Sequence, residues 1–212
     1  MSYGAVHRRV LAGEARAWAL EALAAVDAVA RPARVAAVRH PLGFVCLPLE
    51  RDGGDGVCLH LWSTSLAPAE STTSQIHCHS WDLVSHVLYG QVRNVHAVVS
   101  DAGPDATHRV FEVVSGADGD RISPTPRTVR HATGLVEVFG PGETYTLPAD
   151  RFHSSVVPEG GEAATIALGR GRPGSRDLSL GPLGVGTHHV ARQPLDPEET
   201  ALAVRLIAAH LT

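Results

Sequence analysis

The stretch Gln75-Ile76-His77-Cys78-His79-Ser80-Trp81-Asp82-Leu83 sets two imidazoles two residues apart. Side chains along a β-strand alternate between faces, so His77 and His79 share one face and Cys78 takes the other. Their Cβ atoms then stand about 7 Å apart along the strand, a gap that a metal ion bonded at ~2.1 Å to one nitrogen of each ring can bridge. A lone His-x-His pair serves equally well as a polar strand face turned to water. A further ligand elsewhere in the chain decides between the two.

Histidine is the reagent this chain holds in surplus. Its 212 residues include 13 histidines and 18 basic residues, all of them arginine, against 22 acidic ones, for a net charge of -4. A chain without lysine forms no Schiff base and has no P-loop or kinase lysine, which removes those enzyme classes. Mild acidity and the lack of a basic run argue against a nucleic-acid partner. Cys46, Cys58 and Cys78 are odd in number and far apart, which reads as reduced thiols in a cytoplasmic protein, not a disulfide framework. No run reaches the roughly 20 apolar residues of a membrane span. His7-Arg8-Arg9 ahead of an alanine-rich stretch resembles a secretory leader, but Glu14, Arg16, Glu21 and Asp27 interrupt its apolar part.

The elements that must hold these residues are mostly strands. Apolar side chains at Leu11, Ala15, Trp18, Ala22, Val26 and Val29 predict one helix from 8 to about 31, stopped by Pro32. Asp196-Pro197-Glu198-Glu199 ahead of Ala203, Val204, Ile207 and Leu211 predicts a C-terminal helix over about 197–211. Between them, valine-, leucine- and threonine-rich runs predict strands at 43–49, 56–63, 75–79, 83–89, 92–99, 108–115, 120–131, 134–139, 143–147, 152–157 and 163–170. Glycine-containing turns such as Asp52-Gly53-Gly54, Thr133-Gly134 and Glu159-Gly160-Gly161 separate several of them. Residues 171–195, rich in glycine and proline, read as a long loop. Many short strands of this kind indicate an all-β sandwich or barrel.

A second segment, Gly140-Pro141-Gly142-Glu143-Thr144-Tyr145-Thr146-Leu147-Pro148-Ala149-Asp150-Arg151-Phe152-His153, favours the metal reading of the pair. With it, the chain resembles the cupin superfamily, jelly-roll barrels with two signature segments that place metal ligands inside the barrel. His77, His79 and Gly90 match the first signature, with Leu83 where the family usually has a glutamate. Gly142, Pro148 and His153 match the second, with Asp150 in place of its other glycine and Val157 in place of its asparagine. The resemblance covers about 43–170 and implies a single cupin domain over 1–212. Within it lie a helical segment at 1–33, the jelly-roll barrel at 43–170, the loop at 171–195 and a helix at 196–212.

Carried over residue by residue, the resemblance implies that His77, His79 and His153 are metal ligands. Leu83 makes this a neutral three-histidine set that leaves the ion its full charge, suited to an anionic or chelating small-molecule substrate. Three-histidine cupins include thiol dioxygenases and enzymes cleaving diketones, in which Fe(II) holds substrate and dioxygen together. The Cys-Tyr crosslink of some thiol dioxygenases has no counterpart, because its cysteine would fall at Leu83. Strand parity puts Trp81, Leu83, Ser85 and Val87 on the inward face beside His79; a bulge at Ser80-Trp81 would instead bring in Asp82 as a fourth ligand. Ser155 shares the parity of His153, and Tyr89 and Tyr145 are further hydroxyl donors, each with packing as its plainer role. Arg93 and Arg170, with Trp81, are candidates to hold substrate, against solvated or ion-paired positions for the arginines. His86 reads as an outward residue, His188-His189 as part of a surface loop or a lid, and His60, His96 and His131 as ordinary strand residues.

The resulting expectation is a metal-dependent small-molecule enzyme, an Fe(II) dioxygenase, dimeric as cupin chains commonly are. The alternatives are redox-neutral chemistry on Zn(II), with Ni(II), Co(II) or Mn(II) also accommodated, and a non-catalytic binding protein. The lysine-free, alanine- and arginine-rich composition is that of a GC-rich bacterial gene, and stand-alone cupins of such bacteria often tailor secondary metabolites.

Overall fold

Alternation of period two is clearest in β2 (Phe44–Asp52) and β3 (Asp55–Trp62), where it separates two cores. Val45, Leu47, Val57, Leu59 and Leu61 face one way and pack against helices, while Phe44, Cys46, Cys58 and Trp62 face the other, into the barrel. The computed structural model describes residues 2–28, 37–116 and 118–212. Its further strands are β1 (Val38–His40), β4 (His77–Cys78), β5 (Trp81–Tyr89), β6 (Val92–Asp101), β7 (His108–Ser115), β8 (Gly119–Phe139), β9 (Thr144–Leu147), β10 (His153–Val156), β11 (Ala163–Gly171), β12 (Leu178–Gly181), β13 (His188–Ala191) and β14 (Gln193–Pro194).

The strands form two antiparallel sheets, ordered β14-β1-β2-β3-β11-β5-β9 and β13-β8-β6-β10-β4-β12-β7. Counting outward from the β6–β8 hairpin, β5 pairs with β9, β4 with β10 and β3 with β11. This is a long hairpin folded over on itself, the strand order of a double-sheet jelly roll. The expected all-β jelly roll with terminal helices is therefore the observed architecture.

Among the described residues, the helices pack on the first sheet. α1 (Tyr3–Leu11), α2 (Ala15–Ala28) and α3 (Pro197–Leu211) bury Val6, Trp18, Leu23, Ile207 and Leu211 against its outward residues. Each such side chain contributes about 1.5–3 kcal/mol of burial. α3 begins where the sequence predicts, with Asp196 accepting from Glu199 N at 2.8 Å and the Glu199 carboxylate accepting in return from Asp196 N. Among the described residues no helix is long and apolar enough to cross a membrane.

Three expectations are corrected. The N-terminal segment is two helices, because the chain turns at Gly13 with φ +78°; Leu11 is consequently 70% exposed, and Val29 and Pro32 lie outside the described residues. The strands expected at 120–131 and 134–139 are one 21-residue strand. Gly134-Leu135 makes a bulge opposite His96, across which the register moves from Val95↔Val136 to Ala97↔Thr133. Residues 171–195 contain β12, β13 and β14, too short to show periodicity and held by pairing to distant strands.

Gly90 closes the turn after β5 at φ +74°, where a Cβ would lie 2.0 Å from the Glu162 carbonyl oxygen. Gly142 has φ +82° with nothing within 4 Å. Gly90→Ala is therefore expected to destabilise by about 2–4 kcal/mol and Gly142→Ala by only about 1–2 kcal/mol, measured by urea unfolding.

Candidate metal centre

β4 lies beside β10 so that His77 is directly opposite His153, and both side chains enter the barrel. His79 follows just beyond β4, where its carbonyl accepts from Asp150 N at 3.0 Å. Asp150 stands where the family motif has glycine, and it is the one non-glycine with positive φ, +62°, among the described residues. Aspartate tolerates this conformation better than most residues, and its carboxylate accepts from Ser175 Oγ at 2.6 Å.

The three rings meet edge to edge. His79 Nε2 lies 3.2 Å from His77 Nε2 and 3.3 Å from His153 Nε2. Ligand nitrogens bonded at ~2.1 Å to one ion stand about 3.0 Å apart at right angles and about 3.4 Å apart in a tetrahedron, so the observed spacing fits. His77 Nδ1 donates to Gln75 O at 2.9 Å, and His153 Nδ1 donates to Asn94 Oδ1 at 2.8 Å. A ring with its Nδ1 proton held by an oxygen acceptor presents a lone pair at Nε2. Burial holds all three rings neutral, lowering His77 to about 4 and His79 and His153 well below the usual imidazole range. At this spacing the three nitrogens can share one cation, or a proton on His79 Nε2 can bridge them. The donor set fits a divalent metal.

Asn94 is fully buried, and its Nδ2 stands 3.1 Å from His96 Nε2, which is 2.8 Å from Glu137 Oε2. Sequence reasoning missed this support. Asn94 lies opposite Ser155 across β6 and β10 and is two residues out of step with the His153 it holds, a diagonal relation no local motif displays.

The walls are apolar with a few hydroxyls. Trp81 stacks on His79 at 4.0 Å, a position open because Gly169 has no Cβ, which would lie 2.9 Å from the indole. Leu83 packs with Tyr145, Leu147 and Ala167. Tyr145 shares hydrogen bonds with Ser85 and Ser155, and burial raises its pKa, so it remains a protonated donor. A shallow, open depression of about 330 Å³ lies between Leu42, Trp62, Gln75, Ser155 and Pro158, and none of the three histidines lines it.

Of the residues singled out in the sequence, the structure brings together His77, His79, His153, Trp81, Tyr145 and Ser155. It places the others elsewhere. Asp82 faces away from the histidines, since β5 runs on from Trp81 without a bulge, and its carboxylate accepts from Ala149 N at 2.9 Å and pairs with Arg172. The bulge comes at the far end of β5, opposite Ala164 and Thr165, and it turns Tyr89 to the outer face, stacked on His210 at 4.0 Å. Arg93 is exposed because its neighbour Asn94 points inward. Arg170 lies outside over the Tyr3 ring at 4.5 Å, 3.7 Å from the Asp55 carboxylate. His86 faces outward to Thr144 Oγ1 at 2.8 Å. His131 packs on His108, and His188 and His189 lie in β13, with His188 bonded to Thr72 Oγ1.

No family model matches the chain, and no curated protein matches it. Among solved structures, it is similar to an uncharacterized conserved protein with a double-stranded beta-helix domain from Klebsiella pneumoniae. That match has 11% identity over 78% of this chain and 93% of the other, with a TM-score of 0.31. So weak a likeness adds nothing to the strand order, which alone carries the fold.

Asn94→Leu removes the acceptor that orients His153 and is expected to weaken binding of a divalent ion about 10–100-fold, read by competition with a chromophoric chelator. An unchanged affinity would show that the Asn94 contact does not orient the ligand.

Proposed function

We propose that the protein is a metal-dependent small-molecule enzyme, an Fe(II) dioxygenase with His77, His79 and His153 as ligands. The observation that carries this reading is the inward convergence of three neutral nitrogens, with Leu83 where a carboxylate ligand would reduce the charge of the ion. When bound, ferrous iron supplies a site where a chelating or anionic substrate and dioxygen meet.

The chain's own residues do the positioning. Trp81 fixes the His79 plane and gives substrate a flat apolar surface. Tyr145 and Ser155 offer hydroxyl protons to a substrate oxygen, and Leu83, Leu147 and Ala167 keep water from that side. With Arg93 and Arg170 outside, no arginine holds the substrate anion in this reading; the ion itself does. The three-nitrogen set is equally a catalytic zinc arrangement, so redox-neutral chemistry is the competing outcome.

The test is oxygen uptake by protein reconstituted anaerobically with Fe(II), against thiol carboxylates and 1,3-diketones. Uptake that requires both substrate and iron, and falls more than about 100-fold in His77→Ala and His153→Ala, is expected. Turnover unchanged under strict anaerobiosis would overturn the dioxygenase reading in favour of the zinc one. Undiminished metal binding by both variants would overturn the site.

A further inference from the structure

The inward face of the β2–β3 ladder carries a second set of ligand atoms that the three histidines do not use. Cys46 is directly opposite His60, and Cys58 precedes His60 by two residues on the same face. Both sulfurs and a His60 ring nitrogen all lie within 4.8 Å of one another. Phe44 stacks on His60 at 4.3 Å and packs against Trp62 at 5.0 Å, walling one side. On the neighbouring strand Thr165 is directly opposite His60, 1% exposed, and its Oγ1 is buried with no hydrogen-bond partner. A buried hydroxyl left unpaired is costly, and its neighbours on this face are the Cys58-His60 pair and apolar walls.

The two thiols are poorly placed for a disulfide. Cys46 and Cys58 are diagonal across the ladder, a relation that spans about 7–8 Å and exceeds what a disulfide bridges without moving the backbone. An ion can bridge them, since a tetrahedral sulfur and nitrogen set spaces its ligand atoms about 3.4–3.8 Å apart.

We propose that Cys46, Cys58 and His60 bind a thiophilic ion of the zinc class, with a fourth position open to water or a small ligand held by the Thr165 hydroxyl. Thiolate donors select such an ion over iron bound by nitrogen alone, so the barrel carries two sites of different preference on opposite sheets. Three protein ligands with one exchangeable position is the arrangement of an ion that handles a ligand, where a purely structural ion takes four. The site stands independently of the three-histidine reading.

The test is anaerobic titration of the metal-free, reduced, full-length protein with Co(II). We expect a near-ultraviolet thiolate-to-cobalt band, discharged by Zn(II), that persists in the His77→Ala/His153→Ala double variant. Cys46→Ser and Cys58→Ser should each abolish the band and remove one equivalent of bound cobalt. Because either serine variant can fail to fold, the parent is also alkylated with and without Zn(II). Zinc should protect Cys46 and Cys58 and leave Cys78, on the other face of β4, unaffected. No thiolate band in the parent, or alkylation of Cys46 and Cys58 indifferent to zinc, would overturn the proposal.

Discussion

β4 is two residues long, and its pairing with β10 sets His77 directly opposite His153. The rest of the centre follows from that one register. Directly opposite residues of an antiparallel pair point to the same side, so both rings enter the barrel, and His79, two residues on, closes the triangle. A slip of one residue would turn His153 outward. Pairing on both flanks protects the register, with β12 bonded to the far edge of β4 and β6 to the far edge of β10. The tail of the chain thus supports the site without supplying a ligand.

Orientation is the second requirement, and burial makes it strict. In water each imidazole would exchange tautomers freely; inside the barrel, Gln75 O and Asn94 Oδ1 each hold an Nδ1 proton and leave Nε2 bare. Asn94 reaches His153 from the strand next to β10, so three strands of one sheet cooperate in fixing two lone pairs. The opposite sheet contributes aromatic rings, hydroxyls and sulfur, and the two faces of the cavity therefore differ in chemistry.

Much of this was legible in the sequence, for definable reasons. Strand runs of four to eight residues bounded by glycine turns sufficed for the jelly roll, and Gly90 and Gly142 both adopt the positive φ that reserves a position for glycine. The residues brought to the centre were visible from parity alone as long as a strand ran straight, as β5 does from Trp81 to Val87. Bulges defeated parity. The one near the end of β5 sends Tyr89 outward, and the one between Pro48 and Glu50 shifts β2 against β3. Counted from the Asp52↔Asp55 turn without that shift, Cys46 would face Leu61 and point out of the barrel; with it, Cys46 faces His60. The Cys58-x-His60 pair was present at the same spacing as His77-x-His79. Its partner was hidden by one extra residue.

The central claim is that His77, His79 and His153 turn Nε2 toward a common ion while Nδ1 of His77 and of His153 is tied outward. Long-range ¹H–¹⁵N correlation spectra of the histidine rings in the zinc-loaded protein test it most directly. The account predicts that Nε2 of all three rings carries the shift of a metal-bound nitrogen and that Nδ1 of His77 and His153 is protonated. A protonated Nε2 on His77 or His153 in that sample would contradict it.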